Sequence, residues 1–168
     1  MKKNLFPILF ITSLFVFVSC NQSNKKQSKE EQVTEFVSQL TEADTTAMLD
    51  ACDNCMKMLQ DGKIDEVMNV LYEYDDSLNQ VNPLSESTVQ RYRRVFTMFP
   101  VIDYVRQYYS FQLEGLNDVK YSVKFTPDNE ETGEKGAQTT FMFNPVKVDG
   151  SWYVTVKRAD QELDNSRL

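Results

Sequence analysis

The side chains in this sequence that can do chemistry are few in kind. There are three cysteines, eight tyrosines, one tryptophan and 25 acidic residues, and there is no histidine. Without histidine the chain lacks the commonest general base at neutral pH and the commonest metal ligand. His-based triads and dyads, zinc motifs built on histidine and c-type haem attachment are excluded. Cys52-Asp53-Asn54-Cys55 is followed by Met56 where haem attachment needs histidine. Cys52 and Cys55 stand three apart in a helical pattern, which makes their side chains neighbours. Three states are open to them: ordinary core thiols, a labile disulfide in an oxidising compartment, or half of a metal site that lacks two further soft ligands. A thioredoxin-type pair opens a helix after a strand, whereas this pair lies inside a stripe with Met48 and Leu59. The residues give no reason to expect a metal or a cofactor.

Tyrosine is the other reactive type, because its hydroxyl needs a partner when buried. Tyr109, Tyr121 and Trp152 project from one expected sheet face, and with Tyr92 and Phe96 from a helix they form a candidate pocket. Plain packing of sheet on helix is the alternative. Asp103 beside Tyr104 has nothing in the sequence to raise its pKa, so no catalytic role is assigned to it. Arg91, Arg93 and Arg94 surround Tyr92, and Asp65, Glu66, Glu73, Asp75 and Asp76 are their acidic counterpart. Both groups read as solvated faces joined by surface ion pairs. No serine nucleophile elbow, phosphate-binding loop or dinucleotide loop occurs.

These residues must be held by helices first and strands after. Val33, Phe36, Val37 and Leu40 recur at helical spacing, and Met48, Cys52, Cys55 and Leu59 form a second stripe. Either one long helix or two with a break near 42–46 is expected, with Asp44 as the N-cap of the second. Gly62 ends it as a left-handed cap, and a short helix carries Ile64, Val67, Met68 and Leu71. Asn82-Pro83 breaks the chain, and capping-box spacing over Ser87–Gln90 opens a helix that stops before Pro100. Beyond Pro100 the period becomes two. Val105, Gln107, Tyr109, Phe111 and Leu113 share one expected face, a turn spans Glu114–Asp118, and Val119, Tyr121, Val123 and Phe125 alternate with polar residues. Residues 127–136 read as an acidic loop. Asp149-Gly150 is a type I′ turn signal that pairs Val148 with Ser151, Lys147 with Trp152, Pro145 with Val154 and Phe143 with Val156. Phe143, Pro145, Trp152, Val154 and Val156 then share a face, with Met142, Asn144, Thr155 and Lys157 on the other.

The N-terminus gives an address. Lys2 and Lys3, an apolar run over Leu5–Val18 and Phe17-Val18-Ser19-Cys20 read as a secretory signal over residues 1–19, too short to span a bilayer. The sequence around Cys20 resembles a bacterial lipoprotein box, with Phe17 where leucine is commonest. That resemblance implies that Cys20 is lipidated and becomes the mature N-terminus, with the membrane as a partner through that lipid. It also implies a place in the cell envelope facing the periplasm or the cell surface. Asn21, where aspartate marks inner-membrane retention in some bacteria, favours the outer membrane by analogy. Cleavage takes two of the 18 basic side chains and leaves 16 against 25 acidic, a formal charge of −9. An acidic surface does not suit nucleic acid. Residues 20–32 read as a polar tether, 33–160 as one domain and 161–168 as a frayed tail.

Helices followed by a four-stranded antiparallel meander make an α+β class, with N-terminal helices packed on a curved sheet. The order helix, Asp61-Gly62-Lys63, short helix, third helix and strands ending in Val148-Asp149-Gly150-Ser151-Trp152 resembles the nuclear-transport-factor-2-like superfamily over roughly 45–158. More narrowly, it is similar to uncharacterised lipoproteins of that fold from Bacteroidetes-type bacteria. The resemblance implies a cone-shaped roll with a pocket between sheet and helices. Two functions follow as expectations. The first is a lipid-anchored envelope protein that binds a small apolar ligand or a protein partner. The second is an enzyme of the same fold that uses an Asp or Tyr in the cone.

Overall fold

The computed structural model describes residues 28–112 and 117–157. The signal, Cys20, most of the turn expected at 114–118 and the tail at 161–168 therefore lie outside the described residues. The first helix, α1 (Lys29–Gln39), starts four residues ahead of the expected domain boundary. Ser28 and Glu31 form a reciprocal capping box that turns this polar stretch into helix. The second, α2 (Glu42–Gln60), is separate, because Leu40 leaves the helix in an extended conformation and Thr41 caps the next one. Asp44 is not the N-cap but the third residue of the helix, closing the box by accepting from the Thr41 N–H.

The end of α2 follows from Gly62. Its φ of +73° supplies the left-handed residue, and its N–H reaches Leu59 O while the Lys63 N–H reaches Met58 O. This is the Schellman pattern. A helix of about two turns, α3 (Ile64–Val70), leads straight into β1 (Leu71–Asp75), which forms an antiparallel hairpin with β2 (Gln80–Pro83). Helix α4 (Glu86–Met98) begins at Ser85 rather than Ser87, and its cap hydroxyl bonds the Glu73 carboxylate instead of the helix backbone.

Three strands, β3 (Asp103–Ser110), β4 (Asp118–Lys124) and β5 (Gln138–Phe143), make one antiparallel sheet in that order. The remaining two, β6 (Val146–Val148) and β7 (Ser151–Thr155), join β1 and β2 in a second sheet ordered β2-β1-β7-β6. There β1 and β7 run parallel, pairing Leu71 with Val154. The sheet structure is thus mixed, with seven strands among the described residues where four antiparallel ones are expected from sequence. The class is α+β with helices on a curved sheet. The two sheets meet at Asn144, whose N–H donates to Thr155 O at 2.8 Å.

Two register findings matter for the site. The β6–β7 turn has φ of 49° at Asp149 and 78° at Gly150, and it pairs Lys147 with Trp152 and Val148 with Ser151, as the sequence predicts. In β3 the register shifts between Arg106 and Tyr108. The bulge splits the expected face, so Val105 lies opposite Ser122 on the outer side while Tyr109 lies opposite Val119 on the inner side. Inside, α2 supplies Met48, Cys52, Cys55, Met56 and Leu59 against Val119, Tyr121, Val123, Phe141 and Phe143 from β4 and β5. Among the described residues these side chains form one hydrophobic core between sheet and helices.

Candidate functional site

Of the five residues expected to share a pocket, Tyr92 and Phe96 line one cleft, and Tyr109, Tyr121 and Trp152 are not among its described lining. Tyr121 is fully buried in the core, its ring 6.0 Å from those of Tyr104 and Phe143. Its hydroxyl donates to Asp53 Oδ1 at 2.6 Å, and Arg106 holds the other carboxylate oxygen at 2.7 Å. Burial first, and then the bond to Asp53, push the Tyr121 pKa far above its usual value. The phenol is a fixed donor and not a base at neutral pH, so this cluster pins α2 to β3 and β4. Tyr109 is 45% exposed near Phe111. Trp152 packs 6.2 Å from Phe111, and its indole N–H is buried with no acceptor among the described residues.

Tyr92 and Phe96 are brought together, and they do line a cavity. Helix α4 presents Arg91, Tyr92, Val95 and Phe96 toward β5, and between them lies a cleft of about 340 Å³. Its other walls are Thr140, Phe141, Met142, Phe143, Asn144 and Lys157. The floor is aromatic, because Phe96 sits 5.3 Å from Phe141 and 5.8 Å from Tyr92. Above the floor, the Arg91 guanidinium lies 5.1 Å over the Tyr92 ring. The Tyr92 hydroxyl donates to Lys157 O at 3.4 Å, which ties the strand exit to the helix. Among the described residues the lining contains two cations and no carboxylate. A volume in the range of ordinary ligand clefts, with an apolar floor and a few polar groups above it, is what a small-molecule or peptide site requires.

Sequence reasoning found two of these lining residues and missed Arg91, Lys157 and the β5 stretch as parts of one site. The missed signal lies in the alternation of Thr139, Phe141 and Phe143 with Gln138, Thr140 and Met142, read together with the pairing of β5 to β4. A smaller cavity of about 290 Å³ lies between α1 and the β6–β7 turn, lined by Phe36, Gln39, Leu40, Asn79, Lys147 and Asp149 among others.

Cys52 and Cys55 are free and buried. Burial pushes the Cys55 thiol up to about 12 and the Cys52 thiol further, so both are protonated at neutral pH. Of the charged clusters, Arg93 pairs with Asp65 at 2.5 Å, on the surface. Glu73 behaves differently. It is buried and accepts from the Ser85 and Thr88 hydroxyls. Asp103 accepts from the N–H of Tyr104. Among the described residues no cluster of three or more metal-binding side chains occurs.

No family model matches the chain, and no curated protein matches it. Two solved structures resemble it. One, from Campylobacter jejuni, is described as an NTF2-like transpeptidase; it is 19% identical with a TM-score of 0.40, over 64% of this chain and 96% of that one. The other, from Xanthomonas campestris, is described as a calcium/calmodulin-dependent protein kinase II association domain. It is 16% identical with a TM-score of 0.40, over 71% of this chain and 91% of that one.

Proposed function

We propose that this protein is a lipid-anchored cell-envelope binding protein whose α4–β5 cleft takes a mainly apolar ligand. The observation that carries the reading is the cleft itself. Beside the hydrophobic core packed between helices and sheet, Val95, Phe96 and Phe141 floor an open space of about 340 Å³. Burying apolar ligand surface there yields about 25 cal/mol per Å² before the costs of association. The anchoring part rests on the sequence around Cys20 alone. A proton-transfer enzyme is the weaker reading. The Tyr121–Asp53 pair is a structural pin, and the buried Glu73 is held by two hydroxyls outside the cleft.

The test uses residues 20–168 with Cys20→Ser, which prevents lipidation, and the neutral fluorescent probe N-phenyl-1-naphthylamine. Saturable fluorescence gain is expected, and Val95→Trp, which fills the cleft, is expected to abolish it. No gain, or equal gain in the variant, would overturn the reading. For the anchor, the wild-type protein is expected in the membrane fraction of its host and the Cys20→Ser protein in the soluble fraction. An unchanged distribution would remove that part.

A further inference from the structure

The smaller cavity, beside α1 and the β6–β7 turn, gathers three segments that are remote in sequence. Phe36, Gln39 and Leu40 come from the end of α1, Asn79 from the β1–β2 turn, and Lys147 and Asp149 from the β6–β7 hairpin. It shares no lining residue with the α4–β5 cleft. The two turn residues have a feature in common. Asn79 has φ of 48° and Asp149 has φ of 49°, and among the described residues these are the two non-glycine residues with positive φ. Glycine takes this conformation without steric cost, whereas asparagine and aspartate take it at a cost. Each turn thus brings a polar side chain to the cavity in a backbone state that glycine would hold more easily.

The hydrogen-bonding capacity at this cavity is mixed. The Tyr74 hydroxyl donates to Asn79 Oδ1 at 2.8 Å, which fixes the amide and leaves its N–H groups to donate. The Lys147 ammonium donates to Asp44 Oδ1 at 2.6 Å, which compensates its charge and leaves it two further donors. The Asp149 carboxylate accepts, and the Gln39 amide both donates and accepts. Neither of these two side chains has a protein partner among the described residues. An anion placed here would meet the Asp149 carboxylate, and a cation would meet the Lys147 ammonium. A hydroxyl both donates and accepts, so it is the one group that all four side chains can serve. Phe36 and Leu40 add an apolar wall on which the C–H face of a ring can lie. From this arrangement we infer that the cavity is a second binding site, which takes a neutral polyhydroxylated ring the size of one sugar unit. Its volume of about 290 Å³ stands at the small end of ligand sites, which suits a single ring. This site goes beyond the α4–β5 reading and does not depend on it.

The experiment uses residues 20–168 with Cys20→Ser and three probes, the methyl glycosides of glucose, galactose and mannose, followed by proton–nitrogen correlation spectra. Saturable shifts at residues 39–40, 79 and 147–150 are expected with at least one glycoside, with a dissociation constant in about the millimolar range. Cyclohexanol, a ring with a single hydroxyl, is expected to bind about tenfold more weakly or not at all. Asn79→Gly and Asp149→Gly keep the turn conformations, and each is expected to weaken the glycoside by about fivefold. No saturable shift with any of the three glycosides would overturn the inference. So would equal binding of cyclohexanol, or indifference of the glycoside to both substitutions. Tighter binding of inorganic phosphate or of methylammonium at the same amides would overturn it in favour of an anion or a cation site. The neutral naphthylamine is expected to leave these amides unshifted, so a failure of that probe strikes the α4–β5 reading alone, and a failure of the glycosides strikes this one alone.

Discussion

At the scale of single residues, the chemistry is governed by burial. Cys52 is fully buried and Cys55 is 1% exposed, in a stripe with Met48 and Leu59. The spacing leaves three states open; in the structure both thiols are free and packed in the core, where desolvation raises their pKa values and keeps them protonated. Iodoacetamide is therefore expected to leave Cys52 and Cys55 unmodified in the native protein and to alkylate both after unfolding without reductant. Peptide mass mapping checks this, and failure to label after unfolding would show a disulfide instead. Tyr121 teaches the same lesson. Its place on the inner face was legible from alternation, but alternation cannot tell a side chain that lines a cavity from one that fills it.

At the scale of elements, α4 is the piece that sets the site, and its N-terminus is held by an unusual contact. Glu73 on β1 is 8% exposed and takes hydroxyl bonds from Ser85 and from the fully buried Thr88. A carboxylate at a helix N-terminus is also favoured by the helix dipole. Thr88→Val keeps the shape and deletes a donor to a buried carboxylate, so a loss of about 1–3 kcal/mol is expected. Chemical denaturation measures it, and an unchanged midpoint would contradict the contact's role. Much of the element order was legible in the sequence: the α2 stripe, the Gly62 stop and the Asp149-Gly150 register all follow from local rules. What was not legible is non-local. The β1–β2 hairpin hides behind a short helix, β1 meets β7 in parallel across more than 80 residues, and the β3 bulge leaves Gln107 unpaired and changes which side chains face in. The site was half legible for the same reason. Tyr92 and Phe96 belong to one helix, whereas Lys157 and β5 reach them only through tertiary pairing.

At the scale of the whole molecule, titration links charge to stability at both ends of the pH range. The Lys147 ammonium first and then the Thr41 groups hold Asp44 well below the usual carboxylate value of 3.8. The Gly136 N–H, then Lys124, do the same for Asp128. A folded pKa below the unfolded one gives stability that is complete above 3.8 and is lost as pH falls through the folded value. Tyr121, Cys52 and Cys55 have the opposite sign. Their pKa values rise from 10.0 and 9.0, so the stability they hold is present below those values and is lost as pH rises past them. Urea midpoints are expected to be highest between about pH 5 and 8 and to fall on either side. A maximum below pH 4 or above pH 9 would contradict this charge assignment. The central claim, that this α+β domain binds through the α4–β5 cleft, is tested most directly by mapping N-phenyl-1-naphthylamine onto the assigned backbone amides. Shifts confined to residues 91–96 and 140–144 are the expected result, and shifts gathered on the exposed face at Val105 and Tyr108, or none at saturation, would contradict it.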